Sequence, residues 1–324
     1  MRKKHLALAL AALAAVASLA VFAGCSTNGT AQSTRSESGD KVSVVASFYP
    51  MYDFAQKVGG DRVDVTCLVP AGTEPHDWEP STADMKTIAS AQVLVYSGAG
   101  MEHWVNDVTS AVGNKDLVSV EASQGVDLLP AAGDEHEAEH EGSREADHDH
   151  GQYDPHVWLS PANAKVEMAN IRDALIEADP DGKDAYEKNY EKYAGMLDEL
   201  DQKYASELAG TASKNIVVSH QAFGYLCDRY GLTQVPIEGI EADSEPDAKT
   251  MAKIVDFVKE NGTKTIFSEE LVSPKAAQAI SDETGASLEV LNPLEGLTDE
   301  QISAGEDYFS VMESNLDKLV KALS

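Results

Sequence analysis

The sequence has few cysteines, few basic side chains and few aromatic residues, and these shortages exclude several classes of protein. Three cysteines in 324 residues cannot form the disulfide framework of a small secreted domain. With 25 basic against 55 acidic side chains, the net charge of −30 repels nucleic acid. Aromatic residues make up only 6%, but a hydrophobic content of 43% supports one large or two medium globular domains and excludes a disordered polyanion.

The N-terminal residues are typical of an export signal. Arg2, Lys3 and Lys4 precede an apolar run over residues 6–22, and small residues lead up to Cys25. This ending resembles the bacterial lipobox, although Phe22 stands where that motif usually has Leu or Val. We therefore predict a lipoprotein signal peptide over residues 1–24, lipidation of Cys25 and a flexible tether over residues 25–40. An ordinary signal peptide with an incidental cysteine is the alternative.

Strand-like and helix-like segments alternate from residue 41 onward, and the third helix is predicted over residues 102–112. This pattern predicts an α/β fold of two lobes, each a parallel sheet flanked by helices, joined by one long rigid helix. The long helix is expected over residues 184–208, where tyrosine and leucine recur at steps of three and four. The lobes are then residues 41–183 and 209–324, and we expect a cleft between them.

An acidic, histidine-rich segment interrupts the first lobe at residues 131–151. It holds four histidines among eight acidic residues and no apolar side chain larger than alanine, so we interpret it as a solvated loop. Its histidines form a candidate auxiliary metal-binding loop; without that role it is a solvated insertion. They are His136, His140, His148 and His150.

Three other histidines lie where ligands are bound in α/β proteins. His76 follows a predicted strand and lies between two prolines that restrict its loop. His156 precedes a helix and has Asp154 nearby to orient its ring. His220 directly follows a predicted buried strand. Imidazoles suit zinc, and one carboxylate would complete a tetrahedral set, but spacing alone does not identify that carboxylate.

The motifs around these histidines carry a family resemblance. The segments GTEPHDWEP (72–80), DPHVWL (154–159), VSHQAFGY (218–225) and LNPLEGL (291–297) resemble successive motifs of the zinc and manganese solute-binding lipoproteins of ABC importers. The resemblance runs from about residue 41 to the C-terminus. It implies the two-lobed fold and metal ligands at His76, His156 and His220.

The resemblance also bears on the fourth ligand and on the metal. Many members have Asp where this chain has Asn292, whereas members with an Asn-Pro-Leu-Glu motif use the glutamate, which is Glu295 here. Glu269 and Glu270 follow another predicted strand and remain alternatives. Manganese members generally replace the third histidine with a carboxylate, so His220 favours Zn²⁺ over Mn²⁺.

We therefore expect a binding protein outside the cytoplasmic membrane, not an enzyme. It would capture Zn²⁺ and deliver it to an ABC permease and its ATPase, as a lipid-anchored monomer without a nucleic-acid partner. A manganese-binding member is one alternative, and a secreted zinc hydrolase with Glu295 as general base is another. The hydrolase lacks support from an H-E-x-x-H or G-x-S-x-G motif. No residue favours an adhesin role, although transport does not exclude it.

The remaining chemically reactive residues are expected to be structural. Cys67 on a predicted strand and Cys227 on a predicted helix are interpreted as buried thiols and not as a disulfide or a ligand pair. His103, beside Trp104, is interpreted as a surface or packing residue.

Overall fold

A computed structural model describes residues 41–131, 152–240 and 246–324. The predicted signal peptide, the tether with Cys25 and the histidines of the acidic segment, from His136 to His150, lie outside the described residues. Among the helices of those three ranges, none combines the length and the apolar character needed to cross a bilayer.

The first half of the described chain forms a four-stranded parallel sheet with helices between its strands. Its elements are β1 (Val42–Ala46), α1 (Tyr49–Gly59), β2 (Val63–Cys67), α2 (Thr82–Ser90), β3 (Val93–Tyr96), α3 (Val105–Val112) and β4 (Val118–Glu121). The strand order is β2-β1-β3-β4. In β1 the near-continuous burial of Val42 to Ala46 is what a parallel strand covered on both faces requires.

Two long helices follow in sequence and pack against each other and against α1. They are α4 (Pro161–Ala178) and α5 (Lys183–Ala209). Pro161 occupies the first turn of α4, where its missing N–H costs no hydrogen bond. The stripe of α5 is buried at Tyr186, Leu197, Leu200 and Tyr204. At 27 residues, α5 is about 40 Å long.

The second half repeats the arrangement of the first. Its elements are β5 (Asn215–Val218), α6 (Gly224–Tyr230), β6 (Thr233–Pro236), α7 (Ala248–Asn261), β7 (Thr265–Ser268), α8 (Lys275–Thr284), β8 (Ser287–Val290), α9 (Asp299–Ala304) and α10 (Tyr308–Leu323). The strand order β6-β5-β7-β8 is again parallel. In each sheet, the strand that comes first in the sequence lies between the second and the third strands. The order of the strands therefore reverses direction beside the first strand, and open α/β sheets bind ligands at such a switch point.

Buried hydrogen bonds join the two halves. The Tyr308 hydroxyl at the start of α10 donates to the carbonyl of Trp158, at 2.7 Å. The Tyr204 hydroxyl of α5 donates to the carbonyl of Met312, at 2.6 Å. Trp158 also packs edge-on against Phe48 of the first half, with ring centroids 4.9 Å apart. One hydrophobic core therefore includes residues of both sheets and of the long helix.

The predicted fold class is confirmed: two parallel sheets with flanking helices and a long helix between them. Some predicted boundaries were wrong. The third helix was expected from Glu102 but begins at Val105, because the Glu102 carboxylate turns back to accept hydrogen bonds from the end of β3. The six-residue α9 was not predicted, since it is too short for a periodic apolar pattern.

Candidate metal centre

His76 lies in a turn that is tied to both halves of the chain. The backbone N–H of Trp78 donates to the carbonyl of Pro75, which closes a turn around His76. Glu74 accepts the backbone N–H of His76, at 2.9 Å. Gly72, with a φ of 72°, donates its N–H to the carbonyl of Leu297. The loop therefore holds His76 against the segment that carries Glu295.

His156 is oriented by a carboxylate two residues before it. Asp154 Oδ1 accepts from the ring Nδ1 at 2.8 Å and from the backbone N–H at 3.0 Å. Asp154 itself is buried, and the Tyr225 hydroxyl donates to its carbonyl at 2.8 Å. The second carboxylate oxygen of Asp154, Oδ2, packs so closely on Gly224 that a Cβ at Gly224 would lie 2.2 Å from it. This packing directs Nε2 of His156 into the cleft.

His220 is oriented in the same way from the second sheet. It follows β5, and Glu269 follows the neighbouring strand β7, so both lie at the carboxyl edge of the sheet. Both carboxylate oxygens of Glu269 accept from His220 Nδ1, at 2.8 and 2.7 Å, and Oε1 also accepts the His220 backbone N–H. Glu269 therefore lies behind the ring, opposite Nε2.

Glu295 is presented by a short strained segment. Leu294 has a φ of 60°, a left-handed conformation that costs a non-glycine residue about 1–3 kcal/mol. Asn292 Oδ1 accepts the N–H of Leu294 at 2.7 Å, and the Asn292 backbone exchanges two hydrogen bonds with the Asn315 side chain of α10. Trp158 donates its indole N–H to the carbonyl of Pro293 at 2.8 Å. These contacts hold the segment in place.

The four side chains converge on one point. Five of the six distances among Nε2 of the three histidines and Oε1 of Glu295 lie between 3.0 and 3.2 Å. All four atoms lie within 4.8 Å of one another. A tetrahedron of zinc–ligand bonds of about 2.0–2.1 Å has edges of about 3.3 Å. The four atoms therefore stand at the corners of a site of the size that zinc needs.

The electrostatic environment reinforces this convergence. Burial opposes ionisation of Glu295, but the three imidazoles around it hold the pKa of its carboxyl well below the usual range. Burial lowers the pKa of His156, and its bonds to Asp154 and Glu295 outweigh that effect and raise it. The pKa of His220 is raised well above its ordinary value, because Glu295 and Glu269 outweigh desolvation. The cluster is therefore built to hold positive charge next to an ionised carboxylate.

The four converging side chains are almost completely removed from solvent. His156 and His220 are fully buried and Glu295 is 1% exposed, whereas the His76 side chain is 8% exposed. A cavity of about 830 Å³ adjoins the His76 loop; its lining includes Glu74, Asp77, Trp78, Glu238, Leu271 and Lys275. His76 is therefore the most exposed side chain of the four.

The other residues considered in the sequence analysis do not belong to the converging group of four side chains. Glu269 contacts the far side of the His220 ring, and of the three candidate glutamates it is Glu295 that belongs to the converging group. Cys67 and Cys227 are free; the former is partly buried and the latter buried. His103 is exposed at the surface, 3.7 Å from Glu79. The interpretation of the three side chains as structural agrees with these positions.

Sequence reasoning missed the roles of three residues around the centre. The roles of Gly224 and Tyr225, which fix Asp154, depend on packing between the two halves and leave no local pattern. Glu269 was noticed as a strand-end carboxylate but considered only as a ligand. Its position after β7, next to the strand that ends at His220, was the available signal for a supporting role.

Comparisons with known proteins agree with this arrangement. The chain is 41% identical over 303 residues to the high-affinity zinc uptake system protein ZnuA of Bacillus subtilis, covering 94% of each chain. It is 40% identical over 302 residues to the zinc-binding lipoprotein AdcA of Streptococcus pneumoniae, covering 93% of this chain and 60% of that protein's length.

Solved structures show the same fold. The Zn(II)-bound ZnuA-like domain of Streptococcus pneumoniae AdcA matches with a TM-score of 0.74 and 39% identity, over 87% of this chain and 99% of that one. The laminin-binding protein Lmb of Streptococcus agalactiae, described as a bifunctional protein with adhesin and metal-transporting activity, matches with a TM-score of 0.77 and 34% identity, over 88% of this chain and all of that one. The profile of the periplasmic zinc-uptake complex component A matches residues 44–322. The chain therefore belongs to the ZnuA family of periplasmic zinc-uptake components.

Proposed function

We propose that this chain is an extracytoplasmic binding protein that captures Zn²⁺ between its two lobes and delivers it to an ABC-type import permease. The observation that carries the proposal is the convergence of His76, His156, His220 and Glu295 to mutual distances of a zinc tetrahedron. The relatives named as zinc uptake and zinc-binding proteins support the same ion. The captured ion is cargo, so no covalent chemistry is involved.

The donor set favours Zn²⁺ over Mn²⁺. Three imidazole nitrogens and one carboxylate oxygen suit zinc, whereas manganese prefers more oxygen ligands and higher coordination numbers. The orienting carboxylates Asp154 and Glu269 contact the far nitrogens of His156 and His220, which fixes the tautomer that presents Nε2 to the metal. Because the imidazoles must be unprotonated to bind, capture weakens at acid pH.

The same geometry argues against a zinc hydrolase. A catalytic zinc keeps one coordination position for water, and a separate general base activates that water. Here Glu295 Oε1 stands 3.0–3.1 Å from all three Nε2 atoms, so the glutamate occupies the fourth corner itself. Four protein ligands suit a carrier that must hold zinc without hydrolysing anything.

Anchoring and delivery extend the proposal beyond the described residues. Lipidation at Cys25 would tether the chain outside the membrane, in line with relatives that are named lipoproteins. The lobes proposed at residues 41–183 and 209–324 contribute two ligands each, so movement of one lobe by the permease would open the site. The acidic histidine-rich segment would raise the local zinc concentration beside it.

The first experiment measures metal binding by the purified chain. Elemental analysis and competition titration with a chelator are done on the wild type, on His220→Ala and on His103→Ala, a control that removes an exposed histidine. We expect one tightly bound zinc per chain in the wild type and the control, and a large loss in His220→Ala. A preference for manganese, or equal affinity in both variants, would refute the assigned ligands.

The second experiment tests delivery. Zinc-loaded chain is mixed with liposomes that contain the permease and its ATPase, and zinc entry is followed with an internal fluorescent indicator. We expect release to require both the permease and ATP. Release at the same rate without the permease would contradict a role in import, even if zinc binding itself is tight.

A further inference from the structure

A second group of polar side chains lies buried at the carboxyl edge of the first sheet. Three neighbouring strands each end beside a serine: Ser47 follows β1, Ser97 follows β3, and Ser123 lies two residues after β4. All three serines are buried, with exposures of 3% or less. Strand ends at this edge are the usual ligand positions in α/β sheets. None of these serines belongs to the zinc centre described above.

Glu102 is fixed at the middle of this group as a hydrogen-bond acceptor. Its Oε1 accepts from the Ser47 hydroxyl at 2.6 Å and from the backbone N–H of Ser97 at 2.9 Å, and its Oε2 accepts the N–H of Gly98 at 2.9 Å. Burial raises the pKa of Glu102 above its ordinary value, although the three donors act in the opposite direction and favour the ionised form. Oε2 receives a single hydrogen bond and retains lone-pair capacity.

Glu167 of α4 approaches the same group from the helix side. It is fully buried, and the Glu102 charge is the main interaction besides burial that raises the pKa of its carboxyl well above the ordinary value. Within the described residues, no well-formed hydrogen bond reaches either oxygen of Glu167 or the hydroxyls of Ser97 and Ser123, although the Ser97 hydroxyl lies close enough to the Glu167 carboxyl to lower its pKa against the effect of burial. Four buried oxygen atoms at this edge of the sheet therefore have unused hydrogen-bonding or ligand capacity.

The placement of α4 holds these atoms together. One turn after Glu167, the Asn170 side chain donates to the carbonyls of Ala122 and Gln124, at 2.7 and 2.8 Å. These two carbonyls flank Ser123, whose N–H donates to the carbonyl of Ser97. These hydrogen bonds hold α4 against the strand ends close to Glu167. They therefore keep the Ser97 and Ser123 hydroxyls on the side of the sheet that faces this part of the helix.

The charge of this group lacks a counterpart. Across the described ranges, neither Glu102 nor Glu167 forms an ion pair with a basic side chain, although buried carboxylates are ordinarily paired or bound to a metal. A proton shared directly between the two carboxyls would require a hydrogen bond between them, and Glu167 makes none. A neutral Glu167 would still be buried without a well-formed hydrogen bond, a cost that the nearby Ser97 hydroxyl offsets only in part.

We propose that Glu167, together with the hydroxyls of Ser97 and Ser123 and the free lone pair of Glu102, binds a hard divalent cation of the calcium type. Carboxylate and hydroxyl oxygens are ligands of this class, and the absence of nitrogen and sulfur donors in the group disfavours zinc. Magnesium is less suited, because it demands near-ideal octahedral geometry at short distances, whereas calcium accepts irregular sets of oxygen ligands completed by water. The cation would balance two carboxylates and fasten α4, which follows the His156 segment, to the first sheet.

The test measures calcium binding to the full chain with the zinc centre saturated, by equilibrium dialysis of radioactive Ca²⁺ at about 0.15 M salt, where surface charges are screened. Three variants accompany the wild type: Glu167→Gln, which keeps the shape; Ser123→Ala, which keeps both carboxylates; and Glu177→Gln, which removes an exposed charge from the same helix. Thermal unfolding with and without Ca²⁺ is measured in parallel.

We expect one more Ca²⁺ per chain in the wild type and in Glu177→Gln than in Glu167→Gln, and weaker binding in Ser123→Ala. Calcium should raise the unfolding temperature only where it binds. If Glu167→Gln does not fold, the comparison of Ser123→Ala with the wild type decides. Equal calcium binding in the wild type and Ser123→Ala, or a Glu167→Gln variant that is as stable and binds as much Ca²⁺, would overturn the proposal in favour of a neutral, hydrated carboxyl group.

Discussion

Replacing Glu269 with glutamine should weaken zinc binding without removing a ligand. Both Glu269 oxygens accept from Nδ1 of His220, at 2.7 and 2.8 Å, and this contact fixes the ring with Nε2 toward the site. A glutamine amide offers one acceptor oxygen and no charge, so the ring loses part of its orientation and basicity. Loss of such a supporting contact typically costs about 10–100-fold in metal affinity, or about 1.4–2.7 kcal/mol.

The expected loss depends on pH in a defined direction. Glu269 also stabilises the protonated form of His220, whose pKa it raises, and zinc must displace that proton. At acid pH the variant is relieved of part of this competition, so the difference between wild type and Glu269→Gln should shrink as pH falls. At pH 8, where the competition matters least, the difference should be largest.

Competition titration with a chelator of known zinc affinity, repeated between pH 6 and pH 8, measures both effects. Glu260→Gln, which alters an exposed glutamate of α7, is the matched control and should bind zinc as the wild type does. Unchanged affinity in Glu269→Gln would refute the supporting role. A loss as large as that of His220→Ala would refute it in the other direction, because Glu269 would then be a ligand.

Three further predictions concern packing and pH. Burial raises the pKa of Asp53 from 3.8 to about 6, so the wild type loses stability as pH rises through that window and this carboxyl ionises. In urea unfolding, Asp53→Asn should therefore gain up to about 3 kcal/mol in stability relative to the wild type between pH 4 and pH 7, and a difference that does not change with pH would contradict this. Gly224→Ala should displace Asp154 and so lower zinc affinity in a competition titration. The control Gly195→Ala, whose Cβ meets nothing within 4 Å, should leave zinc affinity unchanged and add about 0.5–1 kcal/mol of stability, and equal affinities in the two variants would be evidence against the Asp154 contact. Tyr225→Phe should cost about 1–3 kcal/mol in urea unfolding, because its hydroxyl contacts two backbone groups, and a change below about 0.5 kcal/mol would count against that account.

The fold was predictable because its pattern is local. Short apolar runs marked the strands, and the three- and four-residue steps of α5 marked the long helix. The boundaries that failed were set by long-range contacts: Glu102 leaves the start of α3 because its carboxylate bonds to Ser47, 55 residues away. Such contacts have no counterpart in the neighbouring sequence.

The candidate site was predictable only in part, for the same reason. The three histidines could be identified because strand ends and proline-bounded loops are visible in the sequence. The position of Glu295 depends on the left-handed conformation of Leu294 and on Asn315 of α10, 23 residues from Asn292. Spacing could not identify it, and only the family resemblance did.

The arrangement of charges explains why the centre suits a divalent cation in particular. Three buried carboxylates, Asp154, Glu269 and Glu295, surround the imidazoles of His156 and His220. Without a metal, the raised pKa of both imidazoles means that protons supply the positive charge that these carboxylates require. Zn²⁺ replaces those protons with two positive charges at the point where the Nε2 atoms meet, so binding changes the buried net charge little. A monovalent ion would leave two of the three carboxylates uncompensated, against one with Zn²⁺, and each uncompensated charge is costly at such depth. Selection for a dication therefore follows from the carboxylates behind the ligands as much as from the ligands themselves.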